Sequence, residues 1–169
     1  TYTPVRSRIS AAAPTDVAEA GRALLAANSP LIHVGQGVLQ ADATPELVEF
    51  AELIEAPLMT TTLGKSAFPE NHPLSIGSGG AAVSGGVMHF LPKADLIFSI
   101  GSSLSRTLVS CPIPSGKTMV QCTLDERDLN AEYAIAHALL GDAKLVLAQL
   151  IEEIKRQAGA GGRKGQTSV

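Results

Sequence analysis

The chain has 169 residues, of which 45% are apolar and 17% are charged, a composition typical of one globular domain with a sizeable core. Its net charge of -3 and its lack of long basic runs exclude the usual kind of nucleic-acid-binding face. No apolar run approaches the roughly 20 residues that span a bilayer, and no signal-peptide pattern opens the sequence, so we expect no membrane partner and a cytoplasmic location.

Both ends of the chain have the composition of linkers. Residues 1–13 combine proline, arginine and an alanine run, and residues 157–169 are rich in glycine. We therefore expect a linker at residues 1–13, a folded domain at residues 14–156 and a flexible tail at residues 157–169, all belonging to a longer protein.

Helical and strand patterns alternate between these ends. Thr15 and Asp16 predict the cap of a first helix, and the apolar run at residues 31–34 predicts the strand that follows. Residues 44–46, Thr-Pro-Glu, predict the start of a second helix, because they supply a capping hydroxyl, a proline at the first position and an acid in the first turn. The next strand is expected at residues 58–61.

The alternation continues to the end of the domain. Further strands are expected near residues 74–76, 96–100, 119–124 and 138–140, with a helix at about 84–91 and a last helix capped by Asp142. The strand at 96–100 is apolar on both faces, which is typical of a parallel strand covered by helices. About six mostly parallel strands with helical crossovers predict a three-layer α/β/α Rossmann-like sheet.

Two glycine-rich turns follow predicted strands. Gly35-Gln36-Gly37 places small residues where such a sheet can approach a phosphate, but Gln40 holds the place of the fingerprint's third glycine, so a plain tight turn explains it equally well. The turn at residues 77–80 is similar, since it can form a pocket wall or simply end the strand.

The ionisable residues form no catalytic pattern. The four histidines have no ligand-like spacing and are expected to be structural, and the two cysteines are expected to stay reduced. Lys65 and Arg106 follow strands and are either ligand contacts or solvated loop charges. Asp125 follows a strand end, where it can meet a ribose hydroxyl or cap a turn.

The stretch 60–74, Thr-Thr-Thr-Leu-Gly-Lys-Ser-Ala-Phe-Pro-Glu-Asn-His-Pro-Leu, looks like a family signature. It occurs together with His-Val-Gly-Gln-Gly at 33–37, Ala-Asp-Leu-Ile at 94–97 before Gly101, Leu-Asp at 124–125 and Leu-Gly-Asp-Ala at 140–143. In this order the elements resemble the central domain of thiamine-diphosphate-dependent carboligases and 2-oxo acid decarboxylases of the acetolactate synthase type. The match covers residues 15–155.

The resemblance implies a domain that is catalytically inert by itself. In such enzymes the flanking domains hold thiamine diphosphate and magnesium, so we expect neither to bind here, and we expect no catalytic or metal-binding residue. Those missing domains, in a homo-oligomeric parent, are the expected partners.

The pocket of the central domain holds FAD or ADP in some members of the family and nothing in others. The corresponding cofactor-binding residues here are Gly35, Gln36, Gly37, Thr61, Thr62, Leu63, Gly64, Gly80, Gly101, Ser103 and Thr123. Flavin-containing members have Gly-Met-His-Gly where this chain has Gly-Ala-Ala-Val at 80–83, and an Arg and an Asp where it has Ser103 and Ser105. We therefore expect no FAD, whereas an ADP-like nucleotide asks less of these positions.

Two other functions stay open on the sequence alone. One is a free-standing Rossmann-like module that binds NAD(P), FAD or ADP, because unrelated proteins use the same sheet for these ligands. The other is a purely structural interaction domain.

Overall fold

Residues 9–80 and 82–163 are described by the structure, which is a computed structural model. They contain six β-strands, five α-helices and one short 3-10 helix at Glu126–Asp128. The strands are β1 (Pro30–Val34), β2 (Leu58–Thr60), β3 (Ser75–Ser78), β4 (Leu96–Ile100), β5 (Thr118–Thr123) and β6 (His137–Leu140). The helices are α1 (Pro14–Ala26), α2 (Gly37–Gln40), α3 (Thr44–Ile54), α4 (Gly85–Phe90) and α5 (Ala143–Ala158).

The strands form one parallel sheet in the order β3-β2-β1-β4-β5-β6. This confirms the predicted α/β fold. From β1 the chain runs through β2 and β3 to one edge of the sheet, and from β4 it runs through β5 and β6 to the other edge. The loops after β1 and β4 therefore diverge, and such a switch point leaves a crevice at the carboxyl ends of the strands.

The two faces of the sheet are covered differently. One face packs against α1, α3 and α5, and in its core the rings of Phe50 and Phe98 meet edge to face at 5.2 Å. The other face packs against α4 and against loop residues such as Leu104, Ile113 and Tyr133. Loops thus provide much of the second layer, next to the crevice.

The predicted caps of α1 and α3 are wrong. α1 begins at Pro14 without a side-chain cap, and the Thr15 hydroxyl donates to the Asp16 carboxylate. α3 begins at Thr44, whose hydroxyl donates to the Ala67 carbonyl at 3.0 Å. Both helices have proline in the first turn, where it removes one of the amides that a cap would otherwise satisfy.

Asp142 caps α5 as predicted. Its carboxylate accepts from the amides of Lys144 at 3.0 Å and Leu145 at 3.2 Å. The Asp142 amide donates to the Ser10 carbonyl, and Ala12 exchanges two hydrogen bonds with the Gln149 side chain. The described part of the expected linker is therefore bound to the last helix.

The described part of the expected tail also packs against the domain. α5 continues to Ala158, and Arg163 beyond it is buried. The Arg163 guanidinium donates to the carbonyls of Ala27 and Asn28, each at 2.8 Å, and its amide donates to the Leu53 carbonyl. Residues 1–8 and 164–169 lie outside the described residues, and the domain limits stay a prediction.

Candidate functional site

A cavity of about 500 Å³ opens where β1, β2, β4, β5 and β6 end. Volumes of about 300–1,000 Å³ are usual for small-molecule sites. The turns after these strands bring together residues that are far apart in the sequence. Nine of the predicted cofactor-binding residues line the cavity, namely Gly35, Gln36, Gly37, Thr61, Thr62, Leu63, Gly101, Ser103 and Thr123.

The other two predicted residues, Gly64 and Gly80, lie outside the lining. Gly64 packs against the backbone of Gly35, and its amide donates to the Thr61 side chain at 2.9 Å. Gly80 packs against the Thr62 side chain. Each therefore supports a residue that lines the cavity, and whether any of these residues binds a cofactor stays a prediction.

The glycines at this edge allow two loops to lie against each other. A Cβ on Gly37 would lie 2.7 Å from the Gly101 Cα, and a Cβ on Gly101, whose φ is +64°, would lie 2.7 Å from the Val38 nitrogen. Only glycine fits such a contact without strain. The Gly35-Gln36-Gly37 turn is thus explained by close packing, and it leads directly into α2, which the sequence did not predict.

The amides of these glycines are already bonded within the protein. Those of Gly35 and Gly37 donate to the carbonyls of Ile100 at 2.9 Å and Gly101 at 2.8 Å, and that of Gly101 donates to Cys122 at 3.1 Å. The amides of Gly64, Gly79 and Gly141 donate to the carbonyls of Thr61, Thr60 and Thr123. A phosphate in the cavity would therefore lack the glycine amides that usually hold it in folds of this kind.

A row of buried polar side chains crosses three neighbouring strands. His33 of β1, Ser99 of β4 and Gln121 of β5 are register partners, and their exposed fractions are 6%, 0% and 0%. The His33 Nδ1 and Ser99 Oγ atoms are 3.1 Å apart, and the Gln121 amide donates to the Ser102 carbonyl at 3.1 Å. His33 also lines the cavity, whereas Gln121 Oε1 has no partner among the described residues.

Burial lowers the pKa of His33 from 6.5 to about 4, because desolvation disfavours the imidazolium. The ring is therefore neutral near pH 7 and can donate or accept a hydrogen bond without carrying charge. His33 was expected to be a structural residue, because the sequence of an apolar strand does not show which of its side chains reaches a cavity.

The end of β5 carries two aspartates in different environments. Asp125 accepts from the Arg127 amide at 3.0 Å, and its two oxygens pair with the Arg127 guanidinium, so Asp125 caps the turn. The hydrogen bonds from Arg127 lower the pKa of Asp125 to about 2. Asp128 accepts from the Thr123 hydroxyl at 2.7 Å and lines the cavity. Sequence reasoning missed Asp128 because it lies five residues beyond the strand.

Among the described residues, no lysine or arginine lines the cavity, and its only charged lining side chains are Asp125 and Asp128. Lys65 faces Glu70 at 3.6 Å and Arg106 is exposed, so both are loop charges outside the lining. Apolar walls complete the cavity, contributed by Leu63, Leu104, Val109, Ile113 and Leu124.

The positions that differ from flavin-containing relatives fall in three places. Ser103 and Ser105 line the cavity, and their hydroxyls are 2.9 Å apart. Ala82 is exposed and does not line it. Ala81 lies outside the described residues. The expected lack of FAD stays a prediction.

The fold and the cavity define a Rossmann-like α/β domain with a small-molecule pocket at its switch point. Residues 17–150 match the family model described as the central domain of thiamine pyrophosphate enzymes. The chain belongs to this family, as the signature at residues 60–74 implied.

Curated relatives and solved structures agree with this assignment. The chain is 32% identical over 149 residues to the acetolactate synthase large subunit of Buchnera aphidicola, covering 83% of this chain and 25% of that protein. It is 33% identical over 132 residues to the acetolactate synthase large subunit of Corynebacterium glutamicum, covering 76% of this chain and 21% of that protein. Benzoylformate decarboxylase from Polynucleobacter necessarius shares the fold, with a TM-score of 0.72 at 22% identity over 99% of this chain and 32% of that chain. The chain thus spans about a quarter of its curated relatives' length.

The described residues do not fit a magnesium and thiamine diphosphate site. Magnesium is held by carboxylate and other oxygen ligands, and in this part of the chain no three or more His, Cys, Asp or Glu side chains group closely enough to hold a metal ion. The glycine amides beside the cavity are bonded to carbonyls, and no lysine or arginine among the described residues lines it to pair with a diphosphate. Between residues 9 and 80 and between residues 82 and 163, none of the helices has both the length and the apolar character that a membrane span requires.

Proposed function

We propose that the chain is the central domain of a thiamine-diphosphate-dependent carboligase or 2-oxo acid decarboxylase of the acetolactate synthase type, and that it supplies none of the parent's catalytic groups. The family match over residues 17–150 carries this proposal, together with the span of about a quarter of the relatives' length. The domain then braces the two domains that hold thiamine diphosphate and magnesium.

The chemistry of the cavity supports an inert domain. Burial raises the pKa of both Cys111 and Cys122, which are free thiols, so neither is held as a thiolate nucleophile. His33 is hydrogen bonded to Ser99, but this serine is fully buried in β4 and does not line the cavity. No reacting carbonyl could therefore approach that hydroxyl.

The ligands found in this family require different contacts from the pocket. FAD would need groups that Ser103 and Ser105 do not supply, so we propose that the purified chain is colourless. An ADP-like nucleotide makes fewer contacts and is the family ligand that these positions still allow. The proposed partners are the flanking domains of the same protein, in a cytoplasmic homo-oligomer.

Calorimetric titration of the purified chain with thiamine diphosphate, with and without magnesium, tests the proposal. We expect no magnesium-dependent binding and no decarboxylation of 2-oxo acids. The same titration on a longer protein that includes both flanking segments is the matched control, and it should show saturable binding. Stoichiometric, magnesium-dependent binding by this chain alone would overturn the proposal.

A further inference from the structure

Exposed apolar side chains gather at one end of the sheet. Ten large apolar side chains are exposed in the described part of the chain, and none of them lies where the chain enters a strand. All but Val83 and Met88 lie beside the carboxyl ends of β1, β2, β4, β5 or β6. Single exposed apolar residues are normal on a protein surface, whereas a cluster of them marks a surface that contacts a partner.

Four of these side chains surround the turn between β6 and α5, and we call them the β6-end surface. They are Ile9, Leu124, Leu140 and Leu145, with exposed fractions of 67%, 64%, 41% and 40%. Leu140 is the last residue of β6, and Leu145 lies in the first turn of α5. These two leucines therefore flank the turn on either side.

Two backbone hydrogen bonds bring the other two residues to the same turn. The carbonyl just before Leu124 accepts from the Gly141 amide at 2.9 Å. The carbonyl just after Ile9 accepts from the Asp142 amide at 2.8 Å. Three stretches that are far apart in the sequence thus meet in one apolar surface.

Charged side chains next to this surface are already paired within the domain. Asp125 and Arg127 pair with each other, while Lys144 lies 3.6 Å from Glu46 and donates to the Asp42 carbonyl at 3.0 Å. In protein interfaces the buried core is depleted of charge and the rim is polar. The β6-end surface has this arrangement, so it suits an apolar partner and requires no charge on the other side.

The two described ends of the chain lie at opposite edges of the sheet. Residues 9–12 pass the turn between β6 and α5, where Ala12 exchanges two hydrogen bonds with the Gln149 side chain. Arg163 instead donates to the carbonyls of Ala27 and Asn28, just before β1 begins. Chain that precedes the domain therefore arrives at the β6-end surface, whereas chain that follows it leaves from the amino ends of the strands.

We propose that the β6-end surface is the docking site of the domain that precedes this one in the parent protein. The inference rests on the proposed function, in which the chain is a central domain, and deepens it by naming the face and the flanking domain that meet. The chain spans about a quarter of its curated relatives' length, which leaves ample length for such a domain. Because no charge has to pair across the contact, the docking should depend little on salt.

Hydroxyl-radical footprinting tests the contact, because the oxidation rate of a side chain follows its exposure to solvent. The comparison is between this chain and a longer protein that includes both flanking segments. Leu124, Leu140 and Leu145 should be oxidised at least about fivefold more slowly in the longer protein, as expected for the buried core of an interface. Equal rates in the two proteins would overturn the inference.

Photo-cross-linking from Lys144 identifies the occupant. Lys144 is next to Leu145 and its side chain is 43% exposed, so a cross-linker with one amine-reactive end can be attached there. The photoreactive end bonds to any side chain within reach, and in the longer protein it should reach the preceding segment. Cross-links confined to the following segment or to a second copy of this domain would assign the surface to another partner and overturn the inference.

A pair of substitutions separates the surface from general effects on folding. Leu140→Asp combined with Leu145→Asp should return the oxidation of Leu124 in the longer protein to the rate seen in this chain. The matched Met88→Asp changes a side chain that is 67% exposed on α4, away from this surface, and should leave Leu124 protected. In this chain alone the double variant should keep the native far-ultraviolet circular dichroism spectrum, because both leucines are partly exposed. Continued protection of Leu124 in the double variant would contradict the proposed docking site.

The inference and the proposed function can fail separately. Footprinting requires no thiamine diphosphate, so a longer protein that binds the cofactor but leaves Leu140 as readily oxidised as in this chain overturns the docking site alone. A longer protein that binds no cofactor overturns the proposed function.

Discussion

At the scale of single residues, the main departure from a purely apolar core is a row of buried polar side chains in the sheet. His33, Ser99 and Gln121 occupy adjacent strands in register, and Gln121 keeps one unpaired buried oxygen. Buried polar groups without partners cost stability, so such a row is retained only where the structure tolerates that cost. Of the three residues in this row, His33 alone lines the cavity.

The neutral state of His33 predicts a pH-dependent stability. Its folded pKa is about 4, below the 6.5 of an exposed histidine, so between these values the unfolded chain binds the extra proton. The stabilisation from His33 is complete above about pH 6.5 and is lost as the pH falls towards 4. We expect the free energy of unfolding to drop by about 2 to 3 kcal/mol more for the native chain than for His33→Gln between pH 7.5 and 4.5.

Urea unfolding at the two pH values measures this difference. The comparison within each protein removes the general cost of replacing His33 and the shared effect of the carboxylates. Parallel pH dependence of the native chain and the variant would show that folding does not lower the pKa of His33.

Some residues of the site could be predicted from the sequence and others could not. Gly35, Thr61 and Gly101 were predictable, because strand ends are visible in the sequence and parallel strands bring their carboxyl ends to one edge. Asp128 and His33 were not, because the turn after β5 and the facing of a side chain within an apolar strand depend on tertiary packing. The hydrogen bonds that occupy the glycine amides beside the cavity are likewise visible only in three dimensions.

At the scale of secondary-structure elements, apolar periodicity predicted all six strands and four of the five helices, with ends displaced by up to two residues. α2 was missed because its four residues are too few to show a helical period. The caps of α1 and α3 were misplaced because the threonines have the right residue type but lie inside the helices, Thr44 as the first residue of α3 and Thr15 as the second residue of α1. Residue type alone does not reveal whether a hydroxyl faces the helix amides.

The contrast between caps is testable. Asp142→Ala removes the acceptor for two amides at the start of α5, and it should lower the free energy of unfolding by about 1 kcal/mol, within a range of roughly 0.5 to 2. Thr15→Ala removes no cap and should change it by less than about 0.5 kcal/mol. Urea unfolding of the purified variants at pH 7.5 measures both changes in the free energy of unfolding.

Asp142→Asn is the conservative control, because asparagine can still accept from the amides of Lys144 and Leu145. It should recover most of the loss seen for Asp142→Ala. A loss from Thr15→Ala as large as that from Asp142→Ala would mean that α1 is capped by the threonine after all.

At the scale of the whole molecule, the alternation of strands and helices left few topologies, since crossovers between parallel strands are almost always right-handed. That constraint made the Rossmann-like sheet predictable. The covering of the second face was not predictable, because Leu104, Ile113 and Tyr133 lie in loops without periodicity. The cavity depends on those loops, so its shape and its charge could not be derived from the pattern of elements.

The C-terminal segment decides how far the domain extends. The sequence placed the limit at residue 156, but Gln157 donates to the Ala18 carbonyl at 3.1 Å, and Arg163 reaches the ends of two helices. Its guanidinium bonds the carbonyls of Ala27 and Asn28 after α1 and, at 3.4 Å, that of Ile54 in α3. A cation at helix C-termini satisfies unpaired carbonyls and interacts favourably with the helix dipoles.

We therefore expect a chain that ends at residue 163 to be more stable than one that ends at residue 156. The shorter chain loses the last helical residues and the charged hydrogen bonds of Arg163, each worth on the order of 1.5 to 3 kcal/mol, so the loss should be at least about 2 kcal/mol. Arg163→Ala in the longer chain removes the guanidinium but keeps the end of α5. It should therefore cause most of the loss in the free energy of unfolding. Arg163→Lys keeps the charge but has fewer donors for three carbonyls. Its free energy of unfolding should therefore lie between those of the chain that ends at residue 163 and its Arg163→Ala variant. Thermal and urea unfolding measure the stability of all four proteins. Equal stability of the two truncated chains would place the domain limit at residue 156. It would also mean that the contacts of Arg163 contribute nothing to stability.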